Sequence, residues 1–363
     1  MNYKEALLFI GKCLTITHDK HNYELVERKI KSGLVDWDTI VKVSTNQYVF
    51  PALYCNLKRA DFLHYLPTDL VKYMQHITDL NRERNEHIIT EAKEINELLL
   101  SNNITPIFLK GTGNLLEGLY EDIAERMVGD IDFIINKKDY QNTINILKKF
   151  NYKPVADIMF RFPASKHYPR IYKKGKIAAV EIHRELLRKE KTPFFNYSSI
   201  KNSLLTINNI TLLSFKSQIK LTAFSKLVND YAYFLKNINL RAAYDVFLLG
   251  NKLNTKTKIT DNNLSKELNA GLGLYSFLLE KPQNLQFNSD KKSQQFITAC
   301  LQNLNPSYYN IIKKRFLKLY LKSTTRFQIL FKALFNKSYF NFVVSKITDI
   351  NWLKRKLGFT PNL

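Results

Sequence analysis

Glycine and proline are scarce in this chain, eleven and ten among 363 residues. So few turn formers argue against a loop-rich fold or a sandwich of many short strands, which needs breakers at regular spacing. Cysteine is rarer still. Cys13, Cys55 and Cys300 stand far apart and form no C-x-x-C pair. They give neither a disulfide framework nor a zinc spacing, and a reducing compartment fits best. No window reaches the roughly 18 uncharged apolar residues of a membrane span. The start has no small-residue cleavage site, and Lys12 interrupts its short apolar stretch. No signal peptide is read there, and the cytoplasm is the expected location. No repeat of fixed period is visible.

Acids are also in short supply. Thirty-two Asp and Glu face 55 Lys and Arg, a net charge of +23. The imbalance is uneven: residues 301–363 carry twelve Lys/Arg and one acid, Asp349. Such a field favours an anionic partner, either RNA or a membrane surface, or a phosphorylated substrate, without selecting among them. A solvated surface that only keeps the protein soluble carries the same charge.

What is abundant is packing material, with 24 Phe and 20 Tyr and a hydrophobic content of 45%, as in a globular protein. Residues 1–100 read as helical. The clearest stretch is 81–102, where Ile88, Ile89, Ala92, Ile95, Leu98 and Leu99 recur at steps of three and four. The pattern then changes. Residues 105–109, 130–136 and 176–183 read as strands, and 113–120 and 138–150 as helices between them. Alternation of this kind predicts a small α/β core with a mixed sheet over 101–213. Helix returns after Ser214, at 217–234, 240–252, 293–304 and 308–334, with a polar loop at 283–292. The expected class is α+β: a mixed-sheet core between an N-terminal helical region (1–100) and a C-terminal helical domain with a basic tail (214–363).

Three pieces within the core carry chemistry. Lys110-Gly111-Thr112-Gly113 sits at a strand-to-helix turn, where glycine lets backbone N–H groups approach a phosphate and the helix N-terminus favours negative charge. Lys110 adds a cation and Thr112 a hydroxyl. Asp130-Ile131-Asp132 lies in a strand, so both carboxylates share one face while Ile131, Phe133 and Ile135 fill the other. Adjacent anions repel unless a cation sits between them, and Mg²⁺ binds through one or two carboxylates plus substrate phosphates. Two solvated aspartates at a strand start would look the same. Glu181-Ile182-His183 offers a third acid from a later strand, with His183 on the same face; the polar face of an edge strand would read the same way.

The series Leu109-Lys110-Gly111, Tyr120, Arg126, Asp130-Ile131-Asp132 and Glu181-Ile182-His183 resembles the nucleotidyltransferase superfamily related to DNA polymerase β. Within it, the chain is similar to the poorly characterised bacterial nucleotidyltransferase family proteins, over roughly residues 80–250. Thr112 stands where the superfamily usually has serine, and the gap from Gly111 to Asp130 is longer than in minimal members. The resemblance implies transfer of NMP from an NTP such as ATP to an acceptor hydroxyl, with release of pyrophosphate. Asp130, Asp132 and Glu181 would hold two Mg²⁺ (or Mn²⁺) ions. Lys110, Gly111, Thr112 and Arg126 would bind the nucleotide. The basic segment 157–176, with Arg161, Lys166, His167, Tyr168 and Arg170, would line the acceptor side, joined by His183, or would be a solvated basic hairpin. Arg241 and Asp245 fall where the family tends to place such a pair, which is also an ordinary i,i+4 pair. Two other classes remain open: a D-x-D glycosyltransferase, and a non-catalytic basic protein that binds nucleic acid or membrane through residues such as Lys313, Arg315 and Phe316.

Overall fold

The computed structural model describes residues 1–155, 162–305, 307–350 and 354. Asp157 and Arg161 of the basic segment, and the end of the basic tail, lie outside them.

Five helices come first: α1 (Tyr3–Cys13), α2 (Lys20–Lys31), α3 (Trp37–Asn46), α4 (Phe50–Arg59) and α5 (Thr68–Leu100). The last begins well before the predicted Asn81. Its inward face runs Met74, Thr78, Asn81, Asn85, Ile88, Ala92, Ile95, Leu99, again at steps of three and four. The upstream half is hidden from an apolar-periodicity reading because three of its inward residues are polar. Two have partners there: Asn81 Nδ2 donates to the Ala124 carbonyl at 2.7 Å, and Asn85 Nδ2 to those of Ile123 and Arg126 at 2.6 and 2.8 Å. These buried amides hold the loop that leads into the central sheet.

The core follows: β1 (Ile107–Phe108), α6 (Lys110–Glu117), β2 (Asp130–Ile134), α7 (Tyr140–Lys149), β3 (Lys153–Pro154), β4 (Ile171–Tyr172), β5 (Ala179–His183), α8 (Tyr197–Ile200), β6 (Leu204–Ile207) and β7 (Ile210–Leu213). The seven strands form one sheet in the order β3-β4-β5-β2-β1-β7-β6. β2 runs parallel to β5 and antiparallel to β1, so the sheet is mixed. The three predicted strands lie at its centre. The four not predicted are two to four residues long, too short to display an alternation.

Helix resumes with α9 (Phe215–Phe224), which passes through a π-turn at Ser225–Asn229 into α10 (Ala232–Leu235) and then α11 (Leu240–Asn251). β8 (Thr257–Lys258), α12 (Ser265–Leu278), β9 (Leu285–Gln286), α13 (Lys291–Gln302), α14 (Tyr308–Ala333) and α15 (Lys337–Thr348) complete the chain. The predicted loop at 283–292 holds β9 and the start of α13. α12 and α15 were not anticipated. The fold is α+β, with helices flanking the mixed sheet. No described helix is long and apolar enough to cross a membrane.

Candidate active site

β2 and β5 pair in parallel register, placing Asp130 opposite Ala179, Asp132 opposite Glu181 and Ile134 opposite His183. Because successive strand residues alternate between faces, Asp130, Asp132, Glu181 and His183 rise from one side of the sheet. Ile131, Phe133, Val180 and Ile182 drive into the core on the other, fully buried. The apolar face thus fixes which way the acids point. Slipping either strand by one residue would bury the carboxylates in hydrocarbon.

Like charges opposite one another are destabilising unless neutralised. Two cations, Lys110 and Arg170, do this, and the His183 ring lies beside them. Lys110 Nζ lies 2.5 Å from Asp132 Oδ1 and 3.8 Å from Glu181 Oε2. His183 Nε2 lies 2.8 Å from the same Asp132 oxygen and 3.4 Å from Glu181 Oε2. Arg170 spans the remaining acids, with Nη2 3.0 Å from Asp130 and Nε 3.0 Å from Glu181. Burial works against the charged forms of Asp132 and Glu181, yet Lys110 and His183 beside them hold both carboxyls below their ordinary range. Burial also opposes the Lys110 ammonium, and Asp132 and Glu181 overcome it and raise its pKa. Asp130 is different. Its burial and the negative charge of Glu181 and Asp132 raise its pKa despite Arg170.

Asp132, Glu181 and His183 each offer a ligand atom, and these atoms lie within 4.8 Å of one another. Two carboxylate oxygens and an imidazole nitrogen suit a divalent cation. His183, expected on the acceptor side, is in this tight group. Asp130 is not, and is joined to it through Arg170.

The helix begins at Lys110, not Gly113, so the expected glycine turn is the first turn of α6. Lys110 takes φ of 54°, a left-handed conformation that costs an ordinary residue about 1–2 kcal/mol. A Cβ on Gly111 would stand 2.9 Å from the Val128 side chain, so glycine here lets the 126–128 loop close over the helix start. Thr112 is engaged with the strand. It is fully buried, donates its hydroxyl to the Asp130 carbonyl at 2.9 Å and accepts from the Asp132 amide at 3.4 Å. Its hydroxyl thus ties the start of α6 to β2.

Arg126 is likewise occupied. Its Nε lies 2.9 Å from Asp245, and its Nη1 donates to the Met127 carbonyl at 2.8 Å. Tyr120 donates to the same Asp245 at 2.8 Å and accepts from Asn114 at 3.0 Å. Asp245 therefore belongs to Arg126, not to Arg241 one helical turn away. Tyr168, expected to reach substrate, is buried. His167 packs its ring 5.2 Å from that of His183, with Nε2 3.8 Å from Glu181. Burial lowers its pKa.

Asp130 and Asp132 open onto a cavity of about 480 Å³. Lys110, Gly111, Asp130 and Asp132 form one wall; Lys166, Arg170 and Arg241 contribute positive charge. Burial and the nearby Lys110 charge lower the pKa of Lys166. Sequence reasoning grouped Lys166 and Arg170 in a basic segment but could not tell which of its cations face the acids. Arg241 was the hardest to see, because its i,i+4 spacing to Asp245 suggested an ordinary helix-surface pair.

A family model described as "Uncharacterised nucleotidyltransferase" matches residues 33–278. No curated protein matches. Among solved structures, the chain is similar to an antigenic nucleotidyltransferase-like protein from Paracoccidioides brasiliensis. The two are 16% identical, with 64% of this chain and 93% of that one covered and a TM-score of 0.32.

Proposed function

This chain belongs to the uncharacterised nucleotidyltransferases, and on that premise we propose that it moves a nucleoside monophosphate from an NTP to an acceptor hydroxyl, releasing pyrophosphate. The observation that supports this most is the pairing of Asp132 with Glu181 across two strands, beside a cavity that Lys166, Arg170 and Arg241 also line. Asp130, Asp132 and Glu181, with His183 in their group, would hold divalent ions, Mg²⁺ or Mn²⁺. Such ions, when bound, screen the charge of the attacking and leaving oxygens.

The chain's own groups would do the rest. Arg241 and Lys166, which have no carboxylate partner among the described residues within ion-pair distance, would take up the negative charge of the triphosphate. Gly111 and the start of α6 would allow close backbone approach, and Lys110 would turn from Asp132 towards a phosphate oxygen. Thr112, Tyr120, Arg126 and Asp245 would hold the loop and β2 in place, so that positioning contributes through rigidity. His167 and Arg170 would face the acceptor. Residues 101–213 would form the catalytic core and the helical regions on either side its frame. An anionic partner at the basic C-terminal helices is part of the same proposal.

The test is incorporation of an α-labelled NTP with Mg²⁺ or Mn²⁺, following label and pyrophosphate, with UDP-sugars as the control donor. Asp132→Ala and Glu181→Ala should each lower turnover by about a thousandfold or more while far-UV circular dichroism is unchanged. Turnover in the Asp132→Ala protein equal to that of the unmodified chain would refute the assignment.

A further inference from the structure

α14 faces the wrong way for an amphipathic helix of a water-soluble protein. At 100° per residue, Leu317, Leu321, Thr324, Thr325 and Ile329 fall on one arc and are partly covered by the rest of the protein. The opposite arc carries Phe316, Leu319, Phe327, Leu330, Phe331 and Leu334, each more than half exposed. No residue of the helix is buried. An ordinary surface helix turns its apolar stripe inward. Here the larger stripe looks out.

The helix is not loosely hung. Tyr320 stacks on Phe234 with ring centroids 6.3 Å apart, and Tyr339 and Phe342 of α15 pack on Phe162 at 6.2 and 5.3 Å. α15 extends the outward surface with Phe340, Val344 and Ile347, exposed at steps of four and three. Exposed Arg315, Lys318, Lys322 and Arg326 border the apolar arc along one side. Counted along the sequence, α14 holds seven Lys/Arg and α15 two, with no acid in either.

The nature of the face selects its occupant. A second copy would bring seven cations against seven with no acid on either α14 to offset them. RNA would use the cations and the flat rings, but Leu319, Leu330, Leu334 and Ile347 would meet nothing. An anionic bilayer uses both halves: apolar side chains enter the boundary between headgroups and acyl chains, and flanking cations meet lipid phosphates. We infer that α14 and α15 dock this protein flat on an anionic lipid surface. This names the anionic partner proposed above and is independent of transfer, because binding is read without nucleotide.

The experiment is vesicle flotation of the full-length protein, with phosphatidylcholine alone or with about one-third phosphatidylglycerol. The anionic vesicles should bind it at least tenfold more tightly, and less so as salt rises. Replacing the apolar arc (Phe316→Ser, Leu319→Ser and Phe327→Ser together) should weaken partitioning by about a hundredfold. Because these side chains are exposed, thermal melting should not change. Lys318→Gln with Lys322→Gln and Arg326→Gln should remove the preference for anionic lipid. The inference is overturned if the folded protein stays with neither vesicle, or if the triple serine variant floats like the unmodified chain. It is also overturned by a dimer in light scattering that the serine variant makes monomeric, which would give the face to a second copy. RNA retention without vesicle binding overturns it as well.

Discussion

The ammonium of Lys110 lies 2.5 Å from Asp132 Oδ1, within 3.8 Å of Glu181 and 3.4 Å of His183. It thus supplies the positive charge among the same side chains that could hold a metal. A divalent ion entering this group must compete with it. Lys110→Met should therefore cost the metal-free protein about 3 kcal/mol, because buried Asp132 loses its nearest cation and Glu181 its second. Adding Mn²⁺ should raise the melting temperature of the variant more than that of the unmodified protein. Equal metal-induced shifts in the two would show that lysine and metal do not share the site.

Much of the site's sidedness was legible in the sequence, and for one reason. In Asp130-Ile-Asp-Phe and Val-Glu181-Ile-His183, polar and apolar residues alternate with the period of a strand, so the face is readable even where length is not. The second half of α5 was legible through Ile88, Ala92, Ile95 and Leu99 for the same kind of reason. What escaped is what depends on distant partners. Asn81 and Asn85 look like surface residues until the carbonyls of Ile123 and Arg126 are in place. Thr112 reads as a phosphate ligand until β2 is laid beside it. Arg241 and Asp245 read as a pair until Arg126, more than a hundred residues earlier, takes the carboxylate. Spacing along the chain carries none of this.

Arg126 and Asp245 form a buried ion pair that also receives Tyr120. Removing one partner of such a pair leaves an uncompensated charge and typically costs about 3–5 kcal/mol. Asp245→Ala should thus lower urea stability by that order and loosen the loop that shapes the cavity. Tyr120→Phe removes one neutral donor to a charged acceptor and should cost nearer 1.5 kcal/mol. An Asp245→Ala protein within about 1 kcal/mol of the unmodified chain would mean that the pair is not a structural anchor.

The acid cluster also makes stability depend on pH in a defined direction. Asp132 and Glu181 are held below their ordinary values of 3.8 and 4.5. Their contribution is complete above those values and is lost as pH falls through the lower folded-state values. Lys110 is raised above 10.5, so its contribution is complete below 10.5 and is lost as pH rises further. Asp132→Asn should therefore reduce the melting temperature at neutral pH, and the gap from the unmodified protein should close in acid. A gap constant from pH 3 to pH 7, measured in EDTA, would sink this account.

Arg241 separates binding from stability. Its Nη1 donates to the Met127 carbonyl at 3.1 Å and its guanidinium sits 4.8 Å from the centre of the Tyr48 ring. Its buried Nε has no hydrogen-bond partner among the described residues. Burial, and then the like charge of Arg126, push its pKa down to about 10, so it is still charged at neutral pH. A desolvated cation on a cavity wall costs the folded protein energy that a bound anion would return. Arg241→Met should therefore leave urea stability within about 1 kcal/mol while weakening NTP binding by roughly ten- to a hundredfold. Arg241→Lys should restore little of the affinity, since a point charge cannot reproduce the planar fork. Calorimetric titration with ATP and GTP reads both effects. An Arg241→Met protein that unfolds readily but binds nucleotide with unchanged affinity would assign this arginine to the frame, leaving Lys166 as the cavity cation to examine.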